Sequence, residues 1–287
     1  MPPAPADPEV QVAAEVPSTP MPDDRVLRAT RVVSIVIVPF LLLAWAVLYP
    51  WPSDTGRLFA WTIKAHLSAM VLGSAYLGGA YFFVRAAGAS GWHTIKAGFP
   101  PVGLFATLMG VATLLHWETF VHGHVAFWLW VLLYFTTPFL IAWVWWRNRV
   151  HDAPAAADDL RLPGAAAAVI AGVGGLALVT GLFLFVAPAT AVSIWPWPLT
   201  PLTARVMGAV FCLGSAGLGA IREQRWSSAR IPVQVALVML VLLVVAGVRG
   251  RSSLDPARPL TWLFVVGFVG LTLSTAALYV RMERRSP

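Results

Sequence analysis

The segment AAAAVIAGVGGLALVTGLFLFVA, from Ala165 to Ala187, contains no charged side chain and decides the fold class. About 20 helical residues cross the ~30 Å hydrocarbon core of a bilayer, so this segment is long enough to span it. It lacks the two-residue alternation of a membrane β-strand. Because only helices and closed barrels satisfy their backbone groups in lipid, the segment predicts a transmembrane α-helix.

Apolar runs of similar length lie on both sides of this segment. Together they predict an all-α integral membrane bundle of about eight transmembrane helices. Prolines stand at many of the edges, where they are tolerated, whereas Pro138 inside the fourth run predicts a kink. The predicted spans are Val32–Tyr49, Leu58–Val84, Phe99–His116, His124–Trp146, Ala165–Ala187, Pro201–Ile221, Ile231–Val248 and Leu260–Val280.

The composition of the whole chain is also typical of a membrane protein. Of the 287 residues, 58% are apolar and 11% are charged, against about 45–50% and about 25% in a typical soluble domain. This excludes an ordinary cytosolic enzyme, a disordered protein and a nucleic-acid-binding domain. The single cysteine, Cys212, excludes an intramolecular disulfide and metal sites of the CxxC type.

The polar segments predict the topology. Residues 1–30 form a Pro/Ala-rich acidic tail, predicted to be disordered because it has few large apolar side chains. Most of the 20 Lys and Arg residues lie on the side that an eight-span chain assigns to both termini. The positive-inside rule therefore places both termini in the cytoplasm. The net charge of +7 is interpreted as a topology signal and not as a nucleic-acid footprint.

Two pairs of similar motifs predict an internal duplication. The motif YPWP ends the first span at residues 49–52, and WPWP follows the fifth span at residues 195–198. Residues 72–80, LGSAYLGGA, resemble residues 213–220, LGSAGLGA. Two parallel four-helix repeats are predicted, at 31–147 and 164–287, joined by a cytoplasmic linker at 148–163. The alternative is a chance alignment of glycines and prolines in apolar runs.

Small residues in the second and sixth runs predict close helix packing. Gly and Ala allow helix backbones to approach each other. The packing could join the two halves, or join the chain to a second copy or another membrane protein. The residues are Gly73, Ala75, Gly78, Gly79, Gly214, Ala216 and Gly219.

The richest polar segment is HWETFVHGH, residues 116–124, between the third and fourth spans. Imidazole and carboxylate are common metal ligands, so the segment is a candidate metal or haem site. The alternative is a polar interfacial loop, since no complete site such as HExxH is present. The candidate ligands are His66, His116, Glu118, His122 and His124.

Lys64 and Arg205 form a candidate intramembrane basic pair near the same side of the membrane. Ionisable residues inside spans are functional candidates by default. The pair could bind an anion or a lipid headgroup, with Asp54, Arg57 or Glu118 as alternative partners. The simpler interpretation is that two long basic side chains extend to the interface from positions near a helix end.

Three stretches resemble a group of bacterial multi-pass membrane proteins with no established activity. They are PWPLTPLTAR at residues 196–205, GSAYLGGAYFF at 73–83 and LLHWETF at 114–120. The resemblance covers about residues 30–285 and not the tail. It implies a bacterial cytoplasmic (plasma) membrane, and it implies that the histidine-tryptophan-acid segment is a shared feature of the group.

Two classes of function are compatible with these residues. The first is a non-enzymatic membrane protein, either a small-solute or ion permeation protein or a membrane scaffold. The second is a metal- or haem-binding membrane oxidoreductase or accessory subunit. No P-loop and no GxSxG motif is present, and the predicted spans contain no Asp or Glu. Because proton relays in membranes usually use such carboxylates, the first class is favoured.

Overall fold

A computed structural model describes residues 23–154 and 159–286. Residues 1–22 of the predicted tail and residues 155–158 of the predicted linker lie outside the described residues, whereas Val26 is buried and residues 28–30 form the first turn of α1. The described chain folds into an all-α bundle, which confirms the predicted fold class. The α-helices are α1 (Arg28–Leu48), α2 (Thr55–Leu58), α3 (His66–Gly88), α4 (Phe99–Leu115), α5 (Val125–Asn148), α6 (Gly164–Val186), α7 (Pro188–Ile194), α8 (Pro201–Cys212), α9 (Trp226–Arg249) and α10 (Pro259–Glu283).

Eight helical segments are long and apolar enough to cross a membrane. They are the long helices α1, α3, α4, α5, α6, α9 and α10, together with α8 and its 3-10 continuation to Ile221. The chain is therefore a polytopic membrane protein, and the predicted number of spans is confirmed. Between residues 25 and 286, no described peptide bond is cis and no described residue has a positive φ.

The second span begins at His66 and not at the predicted Leu58. Phe59, Trp61 and Ile63 are buried in the protein core, so their apolar character serves packing and not lipid contact. The Trp61 ring meets the Trp130 ring of α5 edge to face, with centroids 4.9 Å apart. The prediction was wrong here because hydropathy does not distinguish a buried loop from a lipid-facing helix.

The start of the seventh span also differs from the prediction. Helix α9 begins at Trp226, before the predicted Ile231, so Pro232 lies inside the helix and not at its edge. The indole N–H of Trp226 donates to the Glu283 carboxylate, 3.1 Å away. Trp226 and its contact lie before the apolar run that begins at Ile231, so hydropathy does not indicate them. The sixth span agrees with the predicted Pro201–Ile221, although only Pro201–Cys212 is α-helical and Leu213–Ile221 is a 3-10 helix.

The helix pairs follow one pattern in each half of the chain. In the first half, α1 packs on α3 and α4 packs on α5; in the second, α6 packs on α8 and α9 packs on α10. The halves meet where α3 packs on α9 and α4 packs on α8. Of the eight spans, α3 has the largest share of buried residues, and it forms the centre of the core.

Most of the predicted small residues pack inside this chain. A Cβ atom on Gly73 would lie 3.2 Å from the Tyr49 backbone nitrogen, and one on Gly78 would collide with Met239 of the other half. A Cβ on Gly214 would lie 2.6 Å from that of Ala177 on α6. Gly219 differs, because a Cβ there would meet nothing within 4 Å.

Candidate functional site

The loop between α4 and α5 is fixed by contacts with the α2–α3 segment. The backbone N–H of Val121 donates to the carbonyl of Ala60, 2.9 Å away. A short 3-10 helix, Trp117–Thr119, follows α4 and turns the chain toward α5. The side chain of Phe120 is buried against Trp61, with ring centroids 5.2 Å apart. The loop is therefore a packed part of the bundle.

Two of the candidate histidines stabilise this loop through backbone carbonyls. Nε2 of His122 lies 3.1 Å from the carbonyl oxygen of Trp117, and Nδ1 of His124 lies 3.3 Å from that of Phe59. Because a carbonyl only accepts hydrogen bonds, these nitrogens carry the protons. Each imidazole keeps its second nitrogen for another role.

The other candidate ligands are more dispersed. His66 is exposed and is the first residue of α3, while Glu118 is exposed in the loop. The structure brings His116, Glu118, His122 and His124 into one loop. Within residues 23–154 and 159–286, however, no three or more His, Cys, Asp or Glu side chains form a group that could hold a metal ion.

His116, the residue after α4, contacts Arg205 of α8. Nη1 of Arg205 lies 2.6 Å from Nε2 of His116. Arginine only donates hydrogen bonds, so Nε2 accepts, and His116 is the neutral tautomer with its proton on Nδ1. Burial lowers the pKa of His116, and the nearby charge on Arg205 lowers it further. The contact joins the two halves at the end of the bundle where α4 ends.

Arg205 has an unusual environment for a half-buried arginine. Its Nε is buried and has no hydrogen-bond partner in the described chain. No ion pair with a described carboxylate involves Arg205. The residue lies in the second turn of α8, which is capped by the Thr200 hydroxyl accepting from the Thr203 N–H, 3.2 Å away. The guanidinium therefore has spare donors and one neutral partner.

The other member of the predicted basic pair differs from Arg205. Lys64 is exposed and precedes α3, so it lies outside the span, contrary to the prediction. Within the described residues it makes no hydrogen bond or ion pair. Its position next to a helix end agrees with the simpler interpretation of an interfacial lysine.

Sequence reasoning missed a third basic residue at the same end of the bundle. Arg249, at the end of α9, donates to the carbonyl oxygens of Tyr49 at 2.9 Å and Pro50 at 3.2 Å. The Tyr49 hydroxyl in turn donates to the carbonyl of Leu242, 2.7 Å away. The YPWP motif was recognised as a landmark, but its carbonyl acceptors carry no sequence signal.

An ionic cluster at the opposite end of the bundle was also missed. Nζ of Lys96 lies 2.8 Å from both carboxylate oxygens of Asp152 and 2.9 Å from Glu223. Arg225 donates to both oxygens of Glu223, at 2.6 and 2.9 Å. The hydrogen bonds from Arg225 lower the pKa of Glu223 to about 2, with Lys96 acting in the same direction. The cluster joins three loops, and only the fold brings them together.

The interface between the halves is filled by side chains. The indole N–H of Trp197 donates to the Ser68 hydroxyl, 2.8 Å away, and both residues are buried. A cavity of about 40 Å³ lies beside the hydroxyl pair of Tyr76 and Tyr134, whose oxygens are 2.6 Å apart. Leu213 lines the cavity from the second half. Such a volume has room for one to a few water molecules.

Comparisons with known proteins found no family model, no curated protein and no solved structure that matches the chain.

Proposed function

We propose that the protein is a non-enzymatic membrane scaffold: a closed helical unit that organises its lipid and protein surroundings without passing a solute. The observation that carries this proposal is the filled interface between the halves. Gly78 packs directly against Met239, and the buried Trp197 indole contacts Ser68. A permeation protein of this architecture would need a polar passage at the same place.

The buried hydroxyls support a closed interior. Ser74 and Thr113 donate to the carbonyls four residues earlier in their own helices, at 2.8 Å each. The protons of these hydroxyls are therefore used within their own helices, and the Thr113 oxygen also accepts from the buried Trp130 indole. The cavity beside Tyr76 is lined mainly by apolar side chains. These features favour the scaffold over a permeation protein.

The helix pairing supports the proposed duplication. The contacts of α1 with α3 and of α4 with α5 have counterparts in α6 with α8 and in α9 with α10. The contact of α3 with α9 has its counterpart in that of α8 with α4. Under this proposal, a two-fold axis along the membrane normal relates the two halves. We accordingly propose two parallel repeats in a bacterial plasma membrane with both termini in the cytoplasm, as the Lys and Arg distribution favours.

Helix α10 offers a surface for the scaffold role. No residue of its most apolar 18-residue stretch is buried, and among the long helices it packs chiefly on α9. Large apolar side chains such as Trp262, Leu263 and Val266 are exposed on it, at 60%, 67% and 67%. This surface meets lipid, a second copy of the chain or another membrane protein.

The test is a flux assay on the purified protein reconstituted into liposomes. We expect the release of a small uncharged solute and of potassium chloride to match that of protein-free liposomes. Gramicidin, added to a parallel sample, shows that the assay detects ion flux. Solute or ion release that rises in proportion to the protein content would overturn the scaffold in favour of permeation.

A metal- or haem-binding role remains the second candidate because α3 begins at His66. This later start places His66 at the same end of the bundle as His116. Elemental analysis and an absorption spectrum of the detergent-purified protein test it. A stoichiometric metal or a Soret band that disappears on changing His116, His122 and His124 to alanine would favour this candidate over the scaffold.

A further inference from the structure

We infer that Arg205 and His116 form a binding site for a phosphate group at the end of the bundle where α4 ends and α8 begins. The two side chains are joined by the 2.6 Å hydrogen bond from Nη1 to Nε2. They come from different halves of the chain, so the site exists only in the folded protein.

The donors of the site have the chemistry that an oxyanion requires. A guanidinium presents a planar set of N–H donors that matches a phosphate or carboxylate bidentately. His116 uses only one of them, and the buried Nε has no acceptor at all. Because Nε2 of His116 accepts from Arg205, the imidazole is neutral and leaves the guanidinium charge uncompensated. The site thus offers donors and a positive charge, with no described carboxylate to neutralise it.

Other partly buried arginines in this chain are bonded to oxygen. Arg225 holds the carboxylate of Glu223, and Arg31 donates to two carbonyls at the end of α3. Even the exposed Arg249 donates to two backbone carbonyls. Arg205 has only a histidine nitrogen as its acceptor. A partly buried cation without an oxygen partner is costly, and a bound anion removes that cost.

The position of the site indicates where the anion comes from. Arg205 lies in the second turn of a spanning helix, at the level where phospholipid headgroups meet the protein. The N-terminal end of α8 adds the positive end of a helix dipole, which also favours an anion. A lipid phosphodiester and a free phosphate ion share the chemistry that the site recognises, and the experiment below separates them.

The test measures thermal unfolding of the full-length protein in detergent, with dioleoylphosphatidylglycerol or with sodium phosphate, for the wild type and for Arg205→Gln. We expect phosphatidylglycerol to raise the wild-type Tm by about 3 °C at about tenfold its dissociation constant. Arg205→Gln should show no such rise. If sodium phosphate alone gives the same difference at equal ionic strength, the ligand is the soluble ion; if only phosphatidylglycerol does, it is the lipid.

Two further variants control for charge and for folding. Lys64→Gln removes an exposed positive charge at the same end of the bundle and should retain the wild-type response. Arg205→Lys keeps the charge but loses the planar donors, so it should retain about tenfold less phosphatidylglycerol in native mass spectrometry. If Arg205→Gln does not fold, the retention of phosphatidylglycerol by Arg205→Lys tests the site instead. Equal responses in the wild type and the Arg205 variants, or an equal loss in Lys64→Gln, would overturn the site.

Discussion

His116 makes the contact between the halves sensitive to pH. Burial and the Arg205 charge lower its pKa in the folded protein below the ordinary value of 6.5. The unfolded chain therefore takes up a proton at a higher pH than the folded chain does. The contribution of neutral His116 to the stability of the fold is therefore fully present above pH 6.5, and it is lost as the pH falls below that value. Protonation also removes the acceptor and places two positive groups side by side.

We predict that His116→Gln reduces this pH dependence. Glutamine keeps an oxygen acceptor for Arg205 but does not titrate. Between pH 7.5 and pH 5, the Tm of the wild type should fall by about 3 °C more than that of the variant. The other histidines are present in both proteins, so the difference isolates His116. Parallel Tm curves for the two proteins would show that the contact does not stabilise the fold.

Each partner in this contact was recognised in the sequence, but the contact itself was not. His116 belongs to a histidine-rich segment, and Arg205 is an ionisable residue inside a predicted span. Their separation of 89 positions along the chain hides the pairing. The same holds for Lys96 and Glu223, which belong to different loops. Local chemistry is visible in a sequence, whereas the matching of distant loops depends on the tertiary fold.

The packing of α6 on α8 depends on glycines whose carbonyls and Cα atoms nearly touch. A Cβ on Gly181 would lie 2.5 Å from the carbonyl oxygen of Gly208 and 2.9 Å from the backbone nitrogen of Cys212. Because the obstacles are backbone atoms, no side-chain rotation relieves the clash, and the helices must move apart.

We predict that Gly181→Ala destabilises the protein and that Gly172→Ala does not. Both glycines are in α6, so both substitutions gain the same helix propensity. A Cβ on Gly172 meets nothing within 4 Å. Overpacking costs about 1–3 kcal/mol, so Gly181→Ala should lower the Tm by about 3–8 °C relative to Gly172→Ala. Equal Tm values for the two variants would contradict the close packing.

Hydropathy located every span but not every helix boundary. It identified α6 to within one residue at each end. It failed at the start of α3, where Phe59 and Trp61 are apolar because they pack under α5. It also failed at α9, which continues past the apolar run to Trp226. The errors occur where protein contacts, and not lipid, decide the conformation.

The two ends of the bundle differ in chemistry, and this difference fits the proposed orientation. One end holds the salt-bridged loops around Lys96, Asp152 and Glu223. The other end holds the Arg205–His116 contact and the loop from His116 to His124. With eight spans, the two ends lie on opposite sides of the membrane. The first end is on the same side as both termini and is expected to be cytoplasmic.

Cysteine labelling in oriented membrane vesicles tests this arrangement. Thr119→Cys and Ser53→Cys, both at exposed positions, should react with an impermeant maleimide in right-side-out vesicles. Val150→Cys, where the valine is 75% exposed, should react only in inverted vesicles. The native Cys212 is buried and should stay unlabelled in both. Labelling of Val150→Cys together with Thr119→Cys from one side would contradict a span between them. Consistent labelling with all sides exchanged would keep the bundle and reverse its orientation, since packing fixes the fold while the Lys and Arg residues of the loops decide which side they face.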